Sequence, residues 1–190
     1  MEPTAASPPE SNLNPPPAGE AEWTPRRIAA LIVLAVLCGV LVWNAYSPED
    51  IFLSDLKYET LVSDRMVPQN DRSVDGNTLQ IGKTYYPKGI GTHARSEITY
   101  RFLPPGYRYF VAEVGIDAEV PEDSPASVVF SVFSDGTVMY ESPVMKPGMP
   151  PRFVRVCLAG RRSITLKVSD AGDGIEGDHA DWAMARFVAR

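Results

Sequence analysis

The chain has 190 residues, 44% of them hydrophobic, a net charge of −6 and a pI near 5.0. A nucleic-acid-binding protein would need a basic face that displaces counterions, and no run of Lys or Arg here is longer than a pair. Nucleic acid is therefore excluded as a partner. Two cysteines, Cys38 and Cys157, are too few for a disulfide framework.

Residues 1–25 form the first zone, "MEPTAASPPESNLNPPPAGEAEWTP", in which seven residues are proline and most others are small or acidic. Such a segment cannot bury enough apolar surface to offset its ordering entropy. We therefore predict a disordered, Pro-rich tail over 1–25.

Residues 26–47 form the second zone, which we predict to be a transmembrane signal-anchor helix. Ile28 to Trp43 is an uninterrupted uncharged run that Tyr46 extends, and residues 28–46 are long enough to cross roughly 30 Å of hydrocarbon. Arg26 and Arg27 precede this run and acidic residues follow it. The positive-inside rule predicts a single-pass membrane protein with a cytoplasmic N-terminus and an extracytoplasmic C-terminal domain.

Two alternatives to an anchor are open. A cleaved signal peptide would need a small residue on each side of its cleavage motif, and Trp43 with Ala45 is a poor match. A buried soluble helix would need helical partners, and the rest of the chain offers no comparable pattern. The anchor is the stronger interpretation.

Residues 48–190 form the third zone, in which the hydrophobic pattern changes to a period of two. "SEITYRF", "SVVFSVF", "RFVRVCL" and "SITLKVS" each alternate apolar and polar residues and are bounded by Gly, Pro, Asp or Ser. About eight such strands at spacings near ten residues predict an all-β domain, either a β-sandwich or a jelly roll. This length suits one sandwich core and no second domain.

The acidic loops do not predict catalysis. Glycoside hydrolysis needs two carboxylates facing each other across the scissile bond, and a high number of acidic residues does not provide that arrangement. The two histidines, His93 and His179, are not accompanied by a Gly-x-Ser-x-Gly elbow. We therefore expect that the chain is not an enzyme.

Metal binding is a second hypothesis for the polar clusters. "NDRSVDGN" offers Asp71 and Asp75 beside a glycine turn, which suits a carbonyl-rich Ca²⁺ loop, although a plain Asp-Gly turn is the simpler interpretation. "DAGDGIEGD" does not fit the EF-hand template. Zn²⁺ would prefer His and Cys at close spacing, a pattern that the sequence lacks.

Ligand binding is the third hypothesis, since a sugar site needs polar groups for adjacent hydroxyls and a planar surface for the ring. The loops can supply such groups if they converge at one end of a sandwich. Trp182 begins an alternating strand and core packing is the competing role for it; a structural role competes for His93. The predicted ligand-binding residues are His93, Asp117, Glu119, Asp178, His179 and Trp182.

Several longer motifs together resemble the NPCBM family of carbohydrate-binding modules. They are "FLSDL", "DRSVDGNTLQIGKTYYPKGIGTHARSEITYRF", "AEVGIDAEV", "SVVFSVFSDG" and "DAGDGIEGDHADWAMARF", in that order over about residues 51–188. The resemblance implies a galactose-binding-like jelly-roll β-sandwich over 48–190. It also implies attachment to glycoside hydrolases, including family 98 and α-galactosidase-like enzymes, and binding of galactose-containing glycans, in some relatives with Ca²⁺.

Individual positions carry this resemblance. His93 follows the Gly-x-Gly-Thr turn and Asp117 follows Val-Gly-Ile, and the closing motif holds Asp170, Asp173, His179, Asp181 and Trp182. Two positions depart from the pattern. Ala118 stands where a second acidic residue is common, and Met184 stands where an aspartate is common. A thioether cannot replace an oxygen ligand of Ca²⁺, so Met184 weakens the calcium prediction.

The sequence therefore predicts a membrane-anchored, non-catalytic, extracytoplasmic module that binds glycans, with a glycoside hydrolase or another protein as a possible partner. The alternative is a structural or protein-interaction module on the same sandwich, without sugar binding. Ala118 and Met184 favour that alternative.

Overall fold

The computed structural model describes residues 24–45, 49–101 and 105–189. The chain divides into two compact units, Met1–Tyr46 and Ser47–Arg190. The described part of the first unit forms an α-helix, α1, at Pro25–Ala45. Over the described residues, no helix is both long and apolar enough to cross a membrane. The predicted disordered tail lies, up to residue 23, outside the described residues.

The second unit is built from β-strands and one 3₁₀ turn at Leu53–Asp55. Its strands in chain order are β1 Ile51–Phe52, β2 Thr60–Ser63, β3 Gln69–Asn70, β4 Leu79–Ile81, β5 Thr84–Tyr86, β6 Gly89–His93, β7 Ser96–Arg101, β8 Tyr109–Ile116, β9 Val129–Ser134, β10 Thr137–Glu141, β11 Arg152–Cys157, β12 Ser163–Ser169 and β13 His179–Val188.

Two antiparallel sheets enclose the core. Among the described residues, one sheet has the strand order β11-β8-β13-β6-β3, with β1 pairing on β13, and the other has the order β10-β9-β12-β7-β2. A small hairpin, β4-β5, adds a third sheet. Neighbouring strands that are distant in sequence, such as β6 and β13, show that the sandwich depends on long-range pairing. The predicted all-β sandwich is confirmed.

The predicted number of strands is too low. About eight were expected, and the described residues contain thirteen. The additional strands are mostly short: β1 and β3 have two residues each, and β4 and β5 have three. An alternating pattern cannot be recognised over two or three residues, because it needs at least four to define its period.

Trp182 connects the two sheets in the core. It lies on β13 with no exposed area, and its indole meets Phe130 of the opposite sheet edge to face, with ring centroids 5.1 Å apart. Phe110, on the neighbouring strand β8, packs against the Trp182 indole, with ring centroids 6.2 Å apart. Aromatic pairs of this geometry add about 0.5–1.5 kcal/mol each beyond the burial of their area. Alternating residues of the long strands complete the core around this trio.

Gly91 sets where the loop that follows β3 lies. Its amide donates to the Arg72 carbonyl oxygen at 3.0 Å, so the backbone of that loop rests directly on β6. A Cβ at Gly91 would come within 2.3 Å of the Arg72 oxygen and 2.6 Å of Ser73 backbone atoms. Because both neighbours are backbone, they cannot rotate away. Only glycine therefore permits this approach.

Gly91→Ala should lower the free energy of unfolding by about 3 kcal/mol or more, because the methyl group must push the loop off β6. Gly160→Ala is the matched control. Its φ of +76° is unfavourable for alanine, but no atom lies within 4 Å of the added Cβ, so we expect a cost of about 1–2 kcal/mol. Urea denaturation of residues 47–190 measures both. Equal losses would contradict the close approach at Gly91.

Candidate functional site

Four polar side chains meet where the loop after β3, the end of β8 and the start of β13 converge. We call Asp75, Asn77, Glu119 and His179 the rim cluster. His179 Nδ1 lies 2.8 Å from Glu119 Oε1 and 3.7 Å from Asp75 Oδ2. The Asp75 side chain is 47% exposed, whereas those of Glu119 and His179 are 14% and 19% exposed. The cluster is therefore anchored on one side and open to solvent on the other.

Glu119 is the best-held member of the rim cluster. Its Oε2 accepts hydrogen bonds from Ser73 Oγ and Asn77 Nδ2, both at 2.8 Å, and its Oε1 faces His179. Burial alone would raise the pKa of Glu119, but these hydrogen bonds outweigh burial and lower the pKa. Glu119 is thus a fixed carboxylate at neutral pH. Sequence reasoning predicted it, but missed its partners Ser73 and Asn77.

His93 lies beside His179 on the neighbouring strand. The two residues pair across β6 and β13, and their ring centroids are 5.4 Å apart. His93 is 1% exposed, and its Nδ1 contacts the Ala94 carbonyl oxygen, which requires a proton on that nitrogen. Burial lowers the pKa of His93. His93 is therefore a neutral ring that supports His179 and has little surface of its own.

Asp117 holds the site together from within. It is 2% exposed, its Oδ2 accepts from the Gln80 amide at 3.1 Å and its Oδ1 accepts from the Glu119 amide at 2.8 Å. The Ala118 amide donates to the Gln80 carbonyl oxygen at 2.7 Å, so strand β4 is fixed to this turn. Asp117 therefore orients Glu119 rather than facing solvent. Ala118 is exposed beside it.

Asp181 is a buried acid that the sequence did not single out as a site residue. It is 1% exposed, and neither of its oxygens has a hydrogen-bond donor among the described residues. Burial raises the pKa of Asp181 well above its usual range, and the adjacent carboxylates of Asp117 and Glu119 raise it further. A protonated Asp181 can donate to Asp117, which accounts for two neighbouring acids in a dry environment.

Two predicted ligand-binding residues have no exposed area. Asp178 accepts from the Ser127 amide at 3.0 Å through Oδ1, and burial raises its pKa to about 7. Trp182 is the core residue described above, which is the competing role that its alternating strand suggested. Because neither side chain reaches solvent, neither can contact a ligand at the surface. The prediction that they do so is corrected: both support the fold near the site.

The two predicted calcium ligands lie in different surroundings. Asp71 accepts from Lys88 Nζ at 2.9 Å and from the Gly89 amide at 3.1 Å, and Lys88 also contacts Asp55 at 2.5 Å. Asp75 belongs to the rim cluster instead. Ca²⁺ takes six to eight oxygen ligands, which is more than either residue supplies by itself.

Met184, where the resemblance would place an aspartate, packs with an apolar cluster formed by Leu79, Ile81, Tyr86 and Ala183. Its thioether adds no oxygen ligand near the turn after β3. No contact among the described residues tests calcium binding directly, so calcium binding stays a prediction from the family resemblance.

Solved structures share this architecture. The CBM51 domain of Clostridium perfringens GH95, solved in complex with methyl-galactose, is 34% identical with a TM-score of 0.71, over 74% of this chain and all of that chain. The CBM51-2 and INT domains of Clostridium perfringens ZmpB, solved with GlcNAc, are 35% identical with a TM-score of 0.70, over 75% of this chain and 32% of that chain. The β-strand unit is thus a carbohydrate-binding module of the CBM51 type.

Residues 49–188 match the NPCBM/NEW2 domain, and the chain belongs to that family. Two curated relatives are enzymes: a "Putative endo-alpha-N-acetylgalactosaminidase" of Renibacterium salmoninarum, 39% identical over 114 residues, and Alpha-1,3-galactosidase B of Akkermansia muciniphila, 35% identical over 114 residues. The matched segments cover 60% and 59% of this chain. They span only 7% and 14% of the two enzymes. The predicted family is confirmed.

Asp181→Asn should make the domain more stable at pH 8 than the wild type, by about 1 kcal/mol or more, since one pKa unit corresponds to about 1.4 kcal/mol. The asparagine amide can donate to Asp117 as the protonated acid does. The folded state of the wild type binds an extra proton because the pKa of Asp181 is raised. Its stability therefore falls as pH rises from the unfolded pKa towards the folded pKa.

Urea denaturation of both proteins at pH 4, 6 and 8 measures this effect. The stability difference should shrink towards pH 4, where the unfolded carboxyl group is also largely protonated. Comparing the two proteins cancels the titration of Asp178 and of the other groups that they share. A difference that does not change with pH would show that Asp181 is ionised in the folded state.

Proposed function

We propose that this domain binds galactose-containing glycans at the rim cluster, outside the membrane, and without catalysis. The observation that carries the proposal is the fixed Glu119 carboxylate, placed beside His179, Asp75 and Asn77 at an open end of a carbohydrate-binding fold. The experiment that tests it is a calorimetric sugar titration, described below.

The chemistry of the rim cluster suits a sugar. Each hydroxyl group of a sugar can both donate and accept, so a site needs acceptors and donors close together. Glu119 and Asp75 accept, Asn77 donates, and His179 can do either through its imidazole nitrogens. Because Glu119 is held by two hydrogen bonds before a ligand arrives, little side-chain entropy is lost when one binds.

The relatives support galactose rather than another sugar. One structural relative was solved with methyl-galactose, and the two curated relatives are named for acting on α-linked galactose or N-acetylgalactosamine. The ZmpB relative was solved with GlcNAc, so N-acetylglucosamine is the second candidate. In both curated enzymes the module is part of a longer chain, which makes a glycoside hydrolase a reasonable partner for this domain.

A structural or protein-interaction module is the alternative function. Ala118 favours it, because an exposed methyl group stands at the rim where the resemblance expects a carboxylate. The rim cluster favours sugar binding instead, because it keeps a charged and fixed Glu119 carboxylate close to solvent.

Glu119→Gln should weaken galactose binding at least ten-fold, because the amide presents one acceptor instead of two and carries no charge. The measurement is calorimetric titration of residues 47–190 with methyl-galactose, N-acetylgalactosamine and N-acetylglucosamine in EDTA. This segment is a compact unit, and the GH95 relative is an isolated domain of the same extent. For the wild type we expect dissociation constants of roughly micromolar to millimolar.

Asp123→Asn is the matched control, since it removes an exposed carboxylate outside the rim cluster and should leave affinity unchanged. Circular dichroism should show that all variants are folded. No heat with any of the three sugars, from folded protein, would favour the alternative module. Binding that is unaffected in Glu119→Gln would place the sugar elsewhere on the domain.

Membrane anchoring is the second part of the proposal, and the sequence supports it. The segment from Ile28 to Trp43 is uncharged, Arg26 and Arg27 precede it, and acidic residues follow it. The helix Pro25–Ala45 covers this segment, although over the described residues it does not reach the length and apolarity of a membrane span. We propose that the N-terminus is cytoplasmic and that the Ser47–Arg190 unit is displayed outside, where glycans are found.

The full chain should stay in the membrane pellet after a carbonate wash, whereas residues 47–190 should appear in the soluble fraction. Protease added to intact cells should degrade the C-terminal unit of the full chain, which tests the orientation. Recovery of the full chain in the carbonate supernatant would contradict anchoring. Protection of the C-terminal unit, with lysed cells as the positive control, would contradict its orientation.

A further inference from the structure

Three side chains of the rim cluster bring metal-ligating atoms together. The Asp75, Glu119 and His179 atoms that could bind an ion all lie within 4.8 Å of one another. They come from the loop after β3, the turn after β8 and the first residue of β13. The sequence therefore gives no ligand spacing to recognise, and folding alone creates the cluster.

The separations of these atoms suit a small divalent ion. A tetrahedral Zn²⁺ with bonds of about 2.1 Å holds its ligand atoms about 3.4 Å apart. His179 Nδ1 lies 2.8 Å from Glu119 Oε1 and 3.7 Å from Asp75 Oδ2, so the two observed separations bracket that value. All three ligand atoms lie within 4.8 Å of one another, so small side-chain rotations would bring them around one ion.

The surroundings of the cluster resemble the outer contacts of a metal site. Metal-binding carboxylates are usually held by hydrogen bonds to the oxygen that does not face the ion. Ser73 and Asn77 hold Glu119 in this way through Oε2, while Oε1 faces His179. Asp75 is half exposed, which gives an ion a path from solvent and leaves room for water at a fourth position.

We propose that Asp75, Glu119 and His179 bind a divalent transition-metal ion of the Zn²⁺ type. An imidazole nitrogen with two carboxylates is a donor set that favours transition metals, whereas Ca²⁺ requires more oxygen ligands than these residues offer. The ion would occupy the acceptors assigned to the sugar, so metal and glycan compete. This competition rests on the proposed function, but metal binding itself does not.

The test uses the full chain in a non-ionic detergent, freed of metal by dialysis and studied without sugar. Co²⁺ is added as a spectroscopic probe, and Zn²⁺ and Ca²⁺ are titrated calorimetrically. We expect the visible absorption of a four- or five-coordinate Co²⁺ site, displacement of Co²⁺ by one equivalent of Zn²⁺, and no displacement by Ca²⁺.

Glu119→Gln and His179→Ala should each weaken Zn²⁺ binding at least ten-fold, with Asp123→Asn unchanged. Thermal unfolding within a few degrees of the wild type shows that each variant is folded. Metal bound by the exposed thiols of Cys38 and Cys157 does not affect the comparison, because those thiols are present in the wild type and in every variant.

Three results would overturn the proposal. The first is no Co²⁺ spectrum and no heat of Zn²⁺ binding from folded protein. The second is Zn²⁺ binding in Glu119→Gln and His179→Ala that is as tight as in the wild type, and the third is displacement of Co²⁺ by Ca²⁺. Failure of the proposed function looks different, since Zn²⁺ would then bind while galactose in EDTA gives no heat. If both bind, saturating Zn²⁺ should weaken galactose binding at least ten-fold, and unchanged affinity would refute the competition.

Discussion

The contact between Gly91 and the backbone of Arg72 and Ser73 determines the rest of the functional end. Because β6 carries no side chain at this position, the loop after β3 can lie on the sheet instead of arching away from it. This loop delivers Ser73, Asp75 and Asn77 to the level of β13. Without that approach Glu119 would lose its donors Ser73 and Asn77, and Asp75 would not reach His179.

The buried acids next to the rim cluster hold its backbone in position. Asp117 fixes both strand β4 and the Glu119 amide, and Asp181 lies against Asp117 in a dry environment. Two adjacent carboxylates would repel each other if both were ionised, so a proton retained by Asp181 allows the pair to stay buried. Nearer the surface, hydrogen bonds lower the pKa of Glu119, so that its carboxylate stays charged where solvent can reach it. Whether an acid stabilises the fold or can meet a ligand therefore depends on its depth below the surface, and not on its residue type.

The sequence predicted the sandwich because its long strands alternate over six or more residues, as β7, β9, β11 and β12 do. It missed strands too short to show a period. Among the predicted ligand-binding residues, the structure brings His179 against both His93 and Glu119; their part in ligand binding stays a prediction. The sequence-based prediction included Asp178 and Trp182 among the ligand-binding residues, with core packing as the competing role of Trp182, because composition within a loop does not reveal depth. Asn77 was missed because its role depends on a hydrogen bond to Glu119, forty-two residues away in the chain.

The close packing of fixed polar atoms in the rim cluster is the basis of both proposed kinds of ligand. A sugar needs acceptors that are fixed, close together and partly desolvated, and so does a metal ion. The two ligands differ in their distance from the acceptor atoms. A sugar hydroxyl group lies nearly 3 Å from each atom with which it forms a hydrogen bond, whereas a Zn²⁺ ion lies about 2.1 Å from each ligand atom. Asp75 is the exposed member and can make that adjustment, while Glu119 is held in place by Ser73 and Asn77. The choice between ligands therefore depends on how far the loop after β3 can move while its backbone stays against Gly91.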